Sequence, residues 1–233
     1  MKFRADKTDI KRYVEEGWWE ASKGLAEFVR ENAQRNPSGI AYRTSESQIS
    51  WNEYFHAAMG LAEQIKREMT KGGRILVWLP DCPDIHICYL ACEMAGVVTV
   101  GVGWKAGLQE LKYLSEVTGA SILLSKQNNP LGKLDDISEY LNLNSLSLED
   151  IFSNHIVDGE GPNLEGSIGP SDLWFLNSTS GTTGLPKCVM QTQNRWFYFH
   201  KKAVEFGQLT EKDIWMSVVP APFGFGLWTA HVT

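Results

Sequence analysis

The segment Asn177-Ser178-Thr179-Ser180-Gly181-Thr182-Thr183-Gly184-Leu185-Pro186-Lys187 concentrates groups that bind phosphate. Thr179, Ser180, Thr182 and Thr183 supply short hydroxyl donors, and Lys187 supplies a positive charge. Gly181 and Gly184 let the backbone turn tightly and bring N–H groups close to an anion. Recognition of a triphosphate asks for this combination of backbone donors, hydroxyls and a lysine. A run of Ser, Thr and Gly alone is a flexible linker. Here it directly follows a strand-like stretch, Asp172 to Asn177, and closes on Pro186-Lys187. The Walker phosphate loop does not fit either, because it needs Gly-Lys-Ser/Thr leading straight into a helix. Leu185-Pro186 separates Gly184 from Lys187, Cys188 replaces the hydroxyl, and Pro186 biases Leu185 away from helical geometry.

Alternating strands and helices must position this loop. Thr8 to Asn36 reads as one amphipathic helical stretch, ended by Asn36-Pro37-Ser38-Gly39. Ile40 to Arg43 and Gln48 to Ser50 read as two short strands. Ser50-Trp51-Asn52-Glu53 has the spacing of a capping box, opening a helix to about Met69. Arg74 to Leu79, Val97 to Val102 and Ala120 to Leu124 are apolar strands, separated by helices over Pro83 to Ala95 and Gly107 to Thr118. That alternation predicts an α/β fold, a largely parallel sheet with helices on both faces. Asn154 to Pro170 is rich in Gly, Pro, Asn and acidic residues and marks a boundary. The expected division is a first α/β subdomain over 1–153, a linker or surface loop over 154–171, and the start of a second α/β subdomain over 172–233. In that second part, Val189 continues a strand, Asn194 to Phe206 is an aromatic-rich helix and Ile214 to Val219 a further strand. Phe225-Gly226-Leu227-Trp228 looks like the start of a helix.

Bulk properties narrow the partners. The chain of 233 residues carries a formal net charge of −6, which disfavours nucleic acid as a partner but leaves room for a nucleotide held by local donors. Met1-Lys2-Phe3-Arg4-Ala5-Asp6 has no apolar segment of the signal-peptide kind, and Ile75 to Leu79 and Val97 to Val102 are too short to span a membrane. Cys82, Cys88, Cys92 and Cys188 lack the paired spacing of a zinc site and read as free thiols of a reducing cytoplasm.

Thr179 to Lys187, nine consecutive positions, resembles the signature phosphate loop of the AMP-forming adenylate ligases. That superfamily includes acyl-CoA synthetases and nonribosomal peptide adenylation domains. Ile49-Ser50-Trp51-Asn52-Glu53-Tyr54, Val77-Trp78-Leu79-Pro80-Asp81 and Ala91-Cys92-Glu93-Met94-Ala95-Gly96-Val97-Val98 resemble other family segments in the same order. Two positions depart from the pattern. Cys188 stands where the family usually has Gly, and Gln193 stands where it often has His before Asn194.

The resemblance implies the N-terminal portion of the ligase fold, truncated before the C-terminal lid domain. It implies ATP, with Mg²⁺, and coenzyme A as cosubstrates, a carboxylic acid as substrate, and a place in fatty acid metabolism. Thr179, Ser180, Gly181, Thr182, Thr183, Gly184 and Lys187 would hold the ATP phosphates. Phe223 and Gly224, within Val219-Pro220-Ala221-Pro222-Phe223-Gly224-Phe225-Gly226-Leu227, would line the acid pocket, although Phe223 also fits a core aromatic. No catalytic residue and no metal ligand is assigned within the chain. Its adenine, ribose and catalytic-lysine positions would lie further along, so the chain alone is expected to be inactive and to self-associate through the face left uncovered. Three functions stay open: acyl-CoA ligase, a module loading an amino or aryl acid onto a carrier protein, and a non-catalytic folded fragment.

Overall fold

The computed structural model describes residues 6–19, 22–149, 164–179 and 186–231. The expected N-terminal helix is two helices, α1 (Lys7–Glu15) and α2 (Leu25–Arg35). Gly17 takes a left-handed φ of 68° just after α1, and Gly24 is extended at the N-cap of α2, so neither continues a helix. β1 (Ile40–Arg43) and β2 (Gln48–Ser50) form a separate antiparallel pair, as read from the sequence. α3 (Trp51–Glu68) begins with both capping-box bonds: Glu53 N–H donates to Ser50 Oγ at 3.2 Å, and Ser50 N–H donates to Glu53 Oε2 at 2.7 Å.

The central unit follows as β3 (Arg74–Trp78), α4 (Pro83–Met94), β4 (Val98–Val102), α5 (Leu108–Thr118) and β5 (Ile122–Ser125). A small hairpin, β6 (Asn128–Asn129) and β7 (Gly132–Lys133), then leads into α6 (Leu134–Leu141) and β8 (Asn144–Ser147). Next come β9 (Phe175–Thr179), β10 (Lys187–Gln191), α7 (Gln193–Gly207) and α8 (Gly224–Ala230).

Six strands form one sheet in the order β10-β9-β4-β3-β5-β8. All neighbouring pairs are parallel except β10, which runs antiparallel to β9. β9 lies beyond the expected linker yet pairs with β4 from before it, so the sheet is continuous across that segment. The connection β3–α4–β4 moves toward one edge, whereas β4–α5–β5 crosses back past β3 toward the other. Right-handed crossovers therefore put α4 and α5 on opposite faces. Their helix roots diverge between the carboxyl ends of β3 and β4, and that divergence opens the crevice in which doubly wound sheets bind ligands. Ile75, Leu76, Val77 and Trp78 of β3 are fully buried, as the apolar run requires. Among the described residues no helix is long and apolar enough to cross a membrane.

The expected strand Ile214 to Val219 is absent. Those residues adopt no regular element, and Ile214, Met216 and Val218 are 94%, 80% and 79% exposed. The apolar alternation suits a strand, but none of the described strands pairs with it.

Candidate functional site

Three chain segments meet at the carboxyl end of the sheet. The first is the β9–β10 hairpin, in which Thr179 and Lys187 are direct register partners at the mouth of the loop. Thr179 Oγ1 donates to the Lys187 carbonyl at 3.4 Å, and both residues are exposed. Ser180, Gly181, Thr182, Thr183 and Gly184 lie outside the described residues. Cys188, directly after Lys187, is half-buried, and burial pushes its thiol up. It stays a protonated thiol at neutral pH and is no nucleophile.

The second segment is the end of β4. A Cβ on Gly101 would lie 2.5 Å from Phe175 Cζ and 3.3 Å from Pro222 Cα. One on Gly103 would lie 3.3 Å from Phe223 Cζ. The two glycines at this strand end thus let the third segment, the turn Pro220 to Phe223, lie directly on the sheet. The turn is closed by Phe223 N–H donating to the Pro220 carbonyl at 3.1 Å. It is tied on one side by Asp81, whose Oδ1 accepts Ala221 N–H at 2.7 Å. On the other side Asn177 Nδ2 donates to the Pro222 carbonyl at 2.8 Å. Phe223 is 36% exposed, and a Cβ on Gly224 would meet nothing within 4 Å. Beside them the half-buried Trp104 tilts onto buried Trp78, with ring centroids 5.0 Å apart.

The structure therefore brings together Thr179, Lys187, Phe223 and Gly224 among the expected site residues, since Asn177 lies two positions before Thr179 on the strand that holds the Phe223 turn. Asp81, Asn177, Gly101, Gly103 and Trp104 escaped the sequence reading. Gly101 and Gly103, spaced i, i+2 at the end of an apolar strand, were the available signal. A separate cavity of about 680 Å³ lies along the outer side of β10, between Tyr13, Trp18 and Trp19 on one wall and Arg195 and Tyr198 on the other. Neither Thr179, Lys187 nor the Phe223 turn lines it.

The helix layer behind the site includes α4, which carries His86. His86 stacks on Tyr42 at 4.2 Å, and burial holds its imidazole down to about 3, so it stays neutral. It offers no acid or base near neutral pH.

Residues 29–233 match the family described as AMP-binding enzyme. Enterobactin synthase component E of Escherichia coli (strain K12) is 24% identical over 93% of this chain and 42% of its own length. A D-alanine--D-alanyl carrier protein ligase of Bacillus cytotoxicus is 28% identical over 87% of this chain and 39% of its own length. The chain thus spans about two fifths of the curated relatives it matches. Among solved structures, o-succinylbenzoate CoA synthetase from Bacillus subtilis, in complex with the acyl-adenylate intermediate OSB-AMP, superposes with a TM-score of 0.74 at 23% identity, covering 88% of this chain and 52% of that one. The same synthetase is also known in complex with ATP and magnesium ion.

Proposed function

Because the chain belongs to the AMP-binding enzyme family, we propose that it supplies the phosphate-holding and acid-holding part of an ATP-dependent acid–thiol ligase. A carboxylate oxygen of the acid attacks the α-phosphorus of ATP, the bond to the β-phosphate oxygen breaks, and acyl-AMP and pyrophosphate form. A thiol sulfur then attacks the acyl carbon, the bond to AMP breaks, and a thioester results. Such transfers depend chiefly on alignment and on stabilising charge as it develops. Residues 179–187 hold the β- and γ-phosphates, and Lys187 with the loop hydroxyls offsets charge on the departing pyrophosphate. Phe223 walls the acid, and Gly224 leaves room beside it. Mg²⁺ enters with the nucleotide, as Mg·ATP.

One observation chiefly supports this reading. Thr179 and Lys187 stand opposite each other at the carboxyl end of β9, the strand whose Asn177 bonds the turn bearing Phe223. The thiol proposed is that of coenzyme A. A carrier-protein thiol is the second reading, favoured by the carrier-protein ligase among the relatives. The acids in the relatives' names, D-alanine and o-succinylbenzoate, are amino and aryl acids, so these classes replace the fatty acid expected from the sequence.

The test is acid-dependent exchange of labelled pyrophosphate into ATP by the full-length gene product, followed by addition of coenzyme A or a phosphopantetheinyl carrier protein. Exchange with at least one aryl or amino acid is expected. Folded protein that supports no exchange with any acid overturns the proposal.

A further inference from the structure

The turn Pro220 to Phe223 is reached through an irregular stretch of chain. The preceding residues, from Ile214 to Val218, form no regular element and are exposed. The turn is held on the sheet by two side chains distant in sequence, Asp81 after β3 and Asn177 in β9, which lie 140 and 45 residues from their partners. One accepts from the turn and the other donates to it. Asn177 is 2% exposed, where a hydrogen bond has no water to compete with it. The Asp81 bond has a carboxylate acceptor, the stronger kind.

We infer that Asp81 and Asn177 are positioning residues that fix the distance of Phe223 from Gly103, and through it the width of the acid pocket. The inference rests on the reading that Phe223 lines that pocket. Phe223 Cζ lies 3.3 Å from where a Gly103 Cβ would stand, so the ring sits beside the end of β4, in space that the glycine leaves open. Loss of a clamp, which holds the turn on the sheet, lets the ring move away from it. The pocket then widens and bulkier acids gain relative to small ones. Because Asn177 also precedes the mouth of the phosphate loop, the same strand registers the acid wall against the phosphates.

The two clamps have opposite polarity, so near-isosteric substitutions separate them. Asp81→Asn keeps an acceptor for Ala221 N–H, whereas Asp81→Ala removes it. Asn177→Asp turns a donor into an acceptor facing the Pro222 carbonyl. Asp81 is exposed, so its variants fold and carry the decision; Asn177→Asp buries a charge, and its melting temperature is measured alongside.

Two readouts are taken on the full-length gene product. Amide hydrogen exchange of the peptide spanning 219–227 should rise roughly tenfold in Asp81→Ala, as loss of one charge-assisted hydrogen bond allows, and stay at the wild-type rate in Asp81→Asn. The ratio of kcat/KM for a bulky acid to that for a small one should rise about tenfold in Asp81→Ala, with KM for ATP unchanged and Asp81→Asn restoring the wild-type ratio. Unchanged exchange in Asp81→Ala overturns the clamp. So does an Asp81→Asn variant that behaves like Asp81→Ala. Raised exchange with the same loss for every acid overturns the link to specificity. The exchange measurement needs no activity, so a wild type inactive with all acids counts against the ligase reading while the clamp is still decided.

Discussion

Replacing Glu93 by Gln isolates a buried carboxylate that ties the helices together. Glu93, on α4, is fully buried, and its Oε1 accepts Ala26 N–H at 2.9 Å in the first turn of α2. Gln193, at the start of α7, accepts the neighbouring Leu25 N–H at 2.9 Å. A Cβ on Gly24 would lie 2.8 Å from Glu93 Oε1 and 3.1 Å from Gln193 Oε1, so the two side chains flank the N-cap of α2 together. Burial pushes the Glu93 carboxyl from 4.5 up to about 7. The Ala26 N–H and Gln193 oppose that rise, and the charge of Glu27 adds to it. Tyr54, on α3, also feels the carboxylate, which raises its phenol further.

Such a shift corresponds to roughly 3 kcal/mol. The folded chain keeps a proton on Glu93 that the unfolded chain releases. The stabilising contribution is therefore complete below 4.5 and is lost as pH rises through about 7. Gln mimics the protonated carboxyl at every pH, so Glu93→Gln should gain on the wild type by roughly 3 kcal/mol between pH 4.5 and 8, or about 6–12 °C in Tm. The wild-type curve alone does not isolate this. Burial depresses His86 to about 3 and His231 well below 6.5, and these groups remove stability as pH falls through the same window. The measurement is thermal unfolding of both proteins by tryptophan fluorescence at matched pH values, read as the difference. Parallel curves from pH 4.5 to 8 would refute the reasoning.

Lys187→Ala and Thr183→Ala should lower pyrophosphate exchange by roughly a hundredfold while Tm stays within about 2 °C, since Lys187 is exposed at the first position of β10 and Thr183 belongs to a polar, glycine-rich stretch of sequence; early unfolding would make either residue structural. Phe223→Ala should change which acids are preferred with KM for ATP unchanged, and an equal loss for every acid would make the ring a core aromatic. Gly226→Ala should destabilise by about 1–3 kcal/mol, because its new Cβ would meet backbone. That Cβ would lie 2.1 Å from the Pro220 carbonyl oxygen, whereas Gly224→Ala meets nothing within 4 Å and should melt like the wild type.

How much could be read in advance follows from the range of the interaction that decides each element. β3, β4 and β5 are buried apolar runs, and α3 announces itself by Ser50 and Glu53, so short stretches settle them. β8, with the sequence Asn-Ser-Leu-Ser, carries no strand pattern, and only pairing with β5 makes it one. The break between α1 and α2 depends on Gly17 and Gly24, which an amphipathic pattern passes over. The site divides in the same way. The phosphate loop is legible because its donors are contiguous. Asp81 and Asn177 are not, because each bonds a partner far away in sequence whose position exists only once the sheet has formed.

The failed strand at Ile214 to Val219 shows what local pattern cannot supply. Ile214, Met216 and Val218 alternate as a strand with one apolar face should, and all three lie exposed. Side-chain periodicity states which face would be buried. A strand also needs a neighbour's N–H and C=O groups in line with its own, and backbone groups left unpaired inside a protein lose free energy. Among the described residues the six-stranded sheet ends at β10 and β8 without reaching this segment. The turn that follows is tied to the sheet by side-chain hydrogen bonds, through Asp81 and Asn177. The wall of the proposed pocket is thus tied to the sheet by residues far from it in the chain.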